Sequence, residues 1–291
     1  MKDYSIIVLA KQVPDTRNVG KDAMKADGTV NRAVLPAIFN PEDLNALEQA
    51  LRIKDRYPGT TVKILTMGPV RAAEIIREGL YRGADGGVLL TDRAFAGSDT
   101  LATSYALSQA LKKMGKIDLI IAGRQAIDGD TAQVGPQVAE KLNMLQVTYV
   151  EEIVELKNDT IVLKRRLERG VETVKCKLPL VMTVNGTAPE CRVRNAKLLM
   201  QYKRAKTITE LQRENEDYTH LYNERADLNI AEWTVNDIET DSSQLGLTGS
   251  PTKVKTIVNV VLQAKDSKVI SDSDADIESM MIELIDSHVI G

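Results

Sequence analysis

The chain has 291 residues, with 38 Lys and Arg against 41 Asp and Glu, so its net charge is −3. Hydrophobic residues make up 43% and charged residues 27%, which is typical of a globular protein, and a charge so close to zero argues against electrostatic binding to nucleic acid. The two Cys and two His show no CxxC or HExxH spacing, which excludes a zinc ribbon, a disulfide framework and a His-rich metal site and leaves little basis for a Ser-His-Asp triad.

Residues 1–10 form a strand pattern, with neither the apolar core of a signal peptide nor the Arg-rich composition of a transit peptide. No apolar run approaches the roughly 18 residues that a membrane-spanning helix needs. We therefore expect a cytoplasmic protein that is not inserted into a membrane.

Strand and helix patterns alternate along the first two-thirds of the chain. After a strand at 4–10, a helix is predicted over 40–57, because Asn40 can cap it, Pro41 suits its first position, and Glu42 and Asp43 complement its dipole. Further strands are predicted at 62–67, 87–91 and 118–123, and further helices at 68–83, 98–114 and 131–142. Four short strand patterns follow, at 147–154, 160–167, 172–176 and 180–185. This order predicts an α/β fold with a mainly parallel sheet, helices on both faces and an antiparallel addition.

The character of the chain changes after about residue 185. Residues 192–206 carry six basic side chains and no acid, and residues 210–241 carry ten acids against two Arg. Such blocks rarely build a core by themselves, so one interpretation is a solvated tail or surface helix. The other is an arm that lies on a partner protein, because the apolar trio Leu198, Leu199 and Met200 needs a surface to bury it. A strand at 254–262 and an amphipathic helix at 274–290 are predicted last, packed on the body or on another chain.

The most unusual stretch is residues 120–137, IIAGRQAIDGDTAQVGPQ, in which an apolar strand ends at Gly123 and a polar loop with Gly129 and Gly135 leads into a helix. Such a helix N-terminus offers backbone N–H groups and a positive dipole end to a phosphate. The stretch is neither a Walker A motif nor GxGxxG, and the alternative is a tight turn that needs glycine for its backbone angles. The strand ends at 9–12 and 66–69 would gather at the same edge of the sheet, where parallel sheets bind ligands. Together these features favour a nucleotide site.

Several ordered segments resemble the small (beta) subunit of electron-transferring flavoproteins. They are LAKQVPD from residue 9, FNPEDLNALEQALRIK from 39, TMGP from 66, REGLYRGAD from 77 and GRQAIDGDTAQVGP from 123. The resemblance continues through KLPLVMTVNGTAPECRVRNAKLLMQYK from residue 177, so that it covers residues 1–206 in register, and GLTGSPTKV from residue 246 is a further match.

The resemblance implies a doubly wound, Rossmann-like nucleotide-binding domain over residues 1–190. Residues 191–291 would then form a docking loop and a C-terminal arm that wraps around a larger, FAD-carrying alpha subunit. In one branch of the family the beta subunit binds AMP as a structural ligand. In the electron-bifurcating branch the same pocket binds a second FAD, which takes a hydride from NADH and passes one electron to ferredoxin and the other through the alpha flavin to a dehydrogenase, of the acyl-CoA or a related type.

The loop GDTAQVGP and the tail segment TGSPT are similar to bifurcating members of the family. The other branch tends to carry bulkier or amide residues at the positions of Gly129 and Ala132, and no Pro at the position of Pro136. Small residues at these positions would leave room for a pyrophosphate, so we expect FAD here, with AMP as the alternative.

The resemblance also implies roles for individual residues. Leu9 and Ala10 would line the adenine with backbone groups, with Lys11 at the same strand end; Asn40 would bond the ribose or an adenine edge; and Met67 would contact the base. The phosphate side would be formed by a loop with Arg124 and Gln125 beside it, consisting of Asp128, Gly129, Asp130 and Thr131. The phosphates would be held by the Thr131 hydroxyl and by the N–H groups of Ala132, Gln133, Val134 and Gly135.

Residues 192–203 resemble the loop with which the family docks a Leu into a partner dehydrogenase. The candidate docking residues include Arg192 and Arg194. Ala196 stands near the usual anchoring Leu and Lys197 at the usual Pro, so Leu198, Leu199 and Met200 are the candidates for replacing that anchor.

Two other functions stay open at this point. One is a scaffold subunit that binds AMP and the alpha subunit and performs no redox step. The other is an adenine-nucleotide-dependent enzyme with a similar sheet, but the sequence lacks a signature such as SGGxDS. In the redox interpretation no side chain need act as an acid or base, because a bound flavin supplies the chemistry.

Overall fold

The computed structural model describes residues 3–15, 36–213, 219–252, 268–287, 289 and 290. The strands within them are β1 (Ser5–Leu9), β2 (Gln12–Pro14), β3 (Ala37–Phe39), β4 (Thr61–Met67), β5 (Gly86–Leu90), β6 (Leu119–Gly123), β7 (Leu145–Lys157), β8 (Thr160–Leu167), β9 (Gly170–Lys177), β10 (Leu180–Val184) and β11 (Ala231–Trp233). The helices are α1 (Pro41–Arg56), α2 (Ala73–Leu80), α3 (Thr100–Met114), α4 (Val134–Leu142), α5 (Ala196–Tyr202), α6 (Ile208–Arg213), α7 (Thr219–Glu224) and α8 (Asp274–Asp286). None of the described helices is long and apolar enough to cross a membrane.

Nine of these strands form one sheet in the order β11-β5-β4-β1-β6-β10-β7-β8-β9. Every pairing from β11 to β7 is parallel, and β7, β8 and β9 are joined antiparallel. The predicted α/β fold, with its mainly parallel sheet and antiparallel addition, is confirmed. From β1 the chain builds outward through β4 and β5, then crosses back to β6 on the other side of β1. The strand order therefore reverses between β1 and β6, and their carboxyl ends bound the crevice in which such sheets bind ligands.

The two faces of the sheet pack on different helices because its side chains alternate in direction. Ile6 and Val8 of β1 belong to the core under α1 and α2. Ile7 and Leu9 of the same strand belong to the core under α3 and α4. With helices on both faces, the sheet is doubly wound, as expected from the sequence.

The acidic block is not a free tail. Leu228 and Ile230 are buried in the core under α1 and α2, and β11 extends the parallel sheet beside β5. Glu210 forms an ion pair with Arg77 of α2 at 2.9 Å. The interpretation of this block as a solvated tail is therefore wrong, because Leu228 and Ile230 pack on the body and Glu210 pairs with a cation there. The domain boundary near residue 190 stays a prediction.

The predicted C-terminal helix is confirmed as α8, whose apolar residues Ile277, Met281 and Ile285 are exposed. The strand predicted at 254–262 lies outside the described residues. Several predicted helix boundaries were wrong: α2 begins at Ala73 rather than at residue 68, α8 ends at Asp286 rather than at residue 290, and α4 begins at Val134 rather than at residue 131. Asp130 and Ala132 have φ angles of 51° and 52°, in the left-handed region, which a right-handed helix cannot include. The short β2–β3 pair was not predicted.

Candidate nucleotide site

A cavity of about 380 Å³ opens at the carboxyl ends of β1, β4 and β6, at the point where the strand order reverses. Its volume is at the lower end of the range for small-molecule sites. Most of the candidate cofactor residues line it: residues 9–11, Met67, Arg124, Gln125 and 129–135. The parallel sheet therefore brings together strand ends that are far apart in the sequence, as expected for a ligand crevice at its carboxyl edge.

Two candidate residues are not among those that line the cavity: Asn40 and Asp128. Asn40 is fully buried, and its amide donates to the Gln125 carbonyl at 2.8 Å and accepts from the Ile127 N–H at 3.1 Å. Asn40 holds the predicted N-cap position of α1, but its side chain makes no cap hydrogen bond to the helix. With its amide engaged in the loop after β6, Asn40 shapes the site from behind.

The N-terminus of α4 forms one end of the cavity. Residues 132–135 lie on the cavity wall, and within the described structure no side chain caps this nine-residue helix. The Gln133 carboxamide, which stands at the N-cap position, instead accepts from the Thr100 hydroxyl at 2.8 Å. The first N–H groups of a helix have no partner inside it. A phosphate at this end would receive these N–H groups together with the helix dipole.

The loop before α4 combines a constrained backbone with open space. Asp130 and Ala132 hold left-handed angles that cost L-residues roughly 1 kcal/mol or more each. Gly129, between the β6 end and these residues, has ordinary angles, and a Cβ added there would meet no described atom within 4 Å. The fold itself therefore does not require glycine at 129, whereas a ligand against this loop would.

The cations at the cavity are already paired with acids. The Lys11 ammonium lies 2.7 Å from Asp128, and the Arg124 guanidinium lies 3.0 Å from Glu42. Asp43, Asp99 and Asp130 are acidic residues of the cavity wall. Anion binding here therefore depends on backbone N–H groups more than on net side-chain charge.

The N-terminal turn of α1 holds the strand end β6 and the loop that follows it. Asp43 accepts from the Gly123 N–H at 3.0 Å and from the Lys11 N–H at 2.8 Å. Glu42 accepts from the Gln125 N–H at 2.9 Å. Burial raises the pKa of Asp43 to about 7, against the opposing effect of these N–H groups and the Asn40 amide. Sequence reasoning assigned Glu42 and Asp43 only to the helix dipole and missed this role.

A second acid missed by sequence reasoning is Asp99, on the opposite wall. Its carboxylate caps α3 by accepting from the Leu101 and Ala102 N–H groups, at 2.9 and 3.0 Å. The other oxygen accepts from the N–H and hydroxyl of Thr252, at 3.0 and 2.7 Å. The sequence signal was Asp99 directly before the apolar pattern of α3, a preferred capping residue. Thr252 of the tail is thereby held at the N-terminus of α3.

The candidate docking segment lies away from the cavity and is partly tied to the body. Arg192 forms ion pairs with Glu48 at 2.9 Å and Asp55 at 2.8 Å, and Arg194 pairs with Glu78. The other candidates lie on α5: Ala196, Lys197 and Met200 are exposed, and Leu198 and Leu199 are half-buried. Met200, with 62% of its surface exposed, is therefore the most accessible apolar side chain of the trio.

We expect Gly123→Ala to destabilise the protein by about 1–3 kcal/mol, because its Cβ would lie 2.4 Å from the Asp43 carboxylate and 2.7 Å from the Glu42 backbone. Gly129→Ala is the matched control, expected to leave the free energy of unfolding unchanged or to raise it by up to about 1 kcal/mol. Urea unfolding of both variants measures the difference. Equal stabilities would contradict the close approach of α1 to β6.

Comparison with known proteins identifies the family. Residues 27–215 match the electron transfer flavoprotein domain. The chain is 45% identical over 251 residues to an electron transfer flavoprotein subunit beta of Clostridium acetobutylicum, covering 86% of each chain. It is 38% identical to another such beta subunit, from Megasphaera elsdenii, covering 98% of this chain and 99% of the relative. It is also 40% identical to the acryloyl-CoA reductase electron transfer subunit gamma of Anaerotignum propionicum, with the same coverage.

With the domain match over most of the doubly wound fold and full-length similarity to named beta subunits, the chain belongs to the electron transfer flavoprotein family, in which it corresponds to the beta subunit.

Proposed function

We propose that this beta subunit binds FAD in the cavity at the β1–β6 switch point and takes electrons from NADH. In this proposal it works by flavin-based bifurcation, in a heterodimer with an FAD-carrying alpha subunit. One electron passes to ferredoxin and the other through the alpha subunit to a flavin-dependent dehydrogenase of the acyl-CoA type. The alternative is a beta subunit that binds AMP as a structural ligand.

The observation that carries the proposal is the uncapped N-terminus of α4 facing a cavity with unfilled space at Gly129. A helix end without a side-chain cap is matched to an anionic group such as a phosphate. The opening beside Gly129 gives a second phosphate and its continuation a path that a larger side chain would fill. Both features suit the pyrophosphate of a dinucleotide.

The relative from Anaerotignum propionicum supports the proposed partner. Its name describes an electron transfer subunit of acryloyl-CoA reductase. Similarity over 98% of the present chain favours a flavin-dependent enzyme that acts on CoA thioesters as the partner here as well.

When bound, FAD supplies a centre that accepts two electrons as a hydride and releases them one at a time. The chain's own contribution is binding and orientation. In the proposed mode, backbone groups at Leu9 and Ala10 would lie against the base and N–H groups at Val134 and Gly135 against the phosphates; all four residues line the cavity. Asn40, Glu42 and Asp43, at the start of α1, hold the backbone of the β1 end, the β6 end and the loop after β6 through hydrogen bonds.

The limited volume of the cavity is the feature that favours the AMP alternative. It suits the adenosine–phosphate half of FAD, so the rest of the dinucleotide would extend through the opening. Reconstitution with the alpha subunit separates the two functions. We expect two FAD per heterodimer and loss of flavin absorbance on adding NADH; one FAD with one AMP and no response to NADH would establish the scaffold function instead.

We expect Gly129→Leu to lower the affinity of the beta site for FAD by at least about tenfold, since losing one charge-assisted phosphate bond costs about 1.5–3 kcal/mol. Stability should be retained, because the position is open. Gly86→Leu is the control: it is equally open but lies at the far end of the sheet, at the start of β5. Flavin content and urea unfolding measure the two effects, and full flavin content in Gly129→Leu would contradict the site.

For the docking segment, we expect Met200→Ser to raise the KM for the partner dehydrogenase about fivefold or more, as loss of an apolar interface anchor does. Flavin content should be unchanged, because α5 lies outside the cavity. Ile208→Ser, which also removes an exposed apolar side chain but lies on α6, is the control. An unchanged KM in Met200→Ser would exclude Met200 as the anchor.

A further inference from the structure

Asp43 is a buried ionisable side chain at the wall of the candidate nucleotide cavity. It lies in the first turn of α1, is only 6% exposed, and forms part of the cavity wall. Its two oxygens accept from different strand ends: Oδ2 from the Lys11 N–H at 2.8 Å and Oδ1 from the Gly123 N–H at 3.0 Å. One carboxylate therefore bridges the two strands between which the strand order reverses.

The neighbouring side chains of α1 and its N-cap contact other parts of the backbone. Asn40 and Glu42 hold the backbone farther along the loop, at Ile127 and Gln125. The sheet ladder pairs β1 with β6 as far as Leu9 and Ala122, and the Asn40 backbone N–H also donates to the Lys11 carbonyl at 3.0 Å. Asp43 adds a carboxylate that accepts from both the Lys11 and the Gly123 N–H, just beyond the last ladder pair, where both residues line the cavity.

We propose that the Asp43 carboxylate is a positioning residue which, in its ionised form, holds the backbone of Lys11 and Gly123 in place at the cavity wall and thereby makes the affinity of the cavity for an adenine-nucleotide cofactor depend on pH. This inference rests on the proposed function, since it requires a cofactor in this cavity.

The dependence follows from hydrogen-bond chemistry. An ionised carboxylate accepts at both oxygens, whereas a protonated one presents an O–H donor at one of them. In this geometry that donor would face a backbone N–H, which is also a donor, so one strand end would lose its contact. Burial raises the pKa of Asp43 to about 7. Protonation therefore falls within the pH range in which binding is easily measured.

The charged groups around Asp43 come from each element packed against it. Glu42 precedes it on α1 and acts to raise its pKa. The Lys11 ammonium after β1 is engaged with Asp128, and the Arg124 guanidinium after β6 with Glu42. Asp99 and Asp130 line the same cavity. The two cations are thus committed to other carboxylates, while the remaining charges are acidic.

The test is calorimetric titration of FAD into the heterodimer whose alpha site is already filled, between pH 6 and pH 8. FAD is the probe because its pyrophosphate keeps a constant charge, while a phosphate monoester such as AMP ionises near about pH 6. For the wild type we expect Kd to rise about tenfold from pH 8 to pH 6. Asp43→Asn should bind at pH 8 about as weakly as the wild type at pH 6, with a profile flat within about twofold.

Asp118→Asn is the matched control. Asp118 is also buried and also accepts from a β1 backbone N–H, that of Ser5 at 2.9 Å, but at the amino end of the strand. It should keep the wild-type slope. A wild-type slope in Asp43→Asn overturns the inference. If Asp43→Asn does not fold, the wild-type profile decides, and a Kd that is independent of pH or lower at pH 6 overturns the inference. Absence of FAD and AMP binding at every pH would overturn the proposed function and this inference together.

Discussion

The contact on which the candidate nucleotide site depends is the set of hydrogen bonds that join the β6 end and the loop after it to the first turn of α1. Asp43 accepts from the Gly123 N–H and Glu42 accepts from the Gln125 N–H. The Asn40 amide both donates to and accepts from the backbone of the same loop. A loop at the edge of a sheet has backbone groups that need partners. Here the partners come from a helix on one face of the sheet, so the position of the loop is tied to the main core.

This arrangement explains how an anion site can exist beside so many acids. Glu42 and Asp43 are occupied by backbone donors, and Lys11 and Arg124 by other carboxylates. What remains directed at the cavity is the uncapped end of α4. A site built from N–H groups holds a phosphate by fixed dipoles and does not need a surplus of cations, which agrees with a chain of nearly zero net charge.

The apolar patterns were sufficient to predict eight of the nine strands of the sheet, the helices α1 to α4 and the sheet edge at which the cavity opens. The errors came from contacts between distant residues. Asn40 was a plausible cap by residue type, but a loop more than eighty residues away engages its amide. The start of α4 was predicted too early because the left-handed angle at Ala132 has no signal in residue type, although Asp, as at Asp130, tolerates such an angle. The solvated interpretation of the acidic block stayed open beside the docking arm, since the pairing of Glu210 with Arg77 is invisible in a charge count.

The glycines of the motif differ in what they reveal about the ligand. A Cβ at Gly123 would strike the turn of α1, and one at Gly135 would lie 2.5 Å from the Thr183 methyl group on β10. Both are therefore required by packing, whatever binds in the cavity. Gly129 meets no such contact among the described residues and has ordinary backbone angles. Of these three glycines, only Gly129 bears on the choice between FAD and AMP. The open space at this one position is therefore stronger evidence for the larger cofactor than the presence of the whole motif.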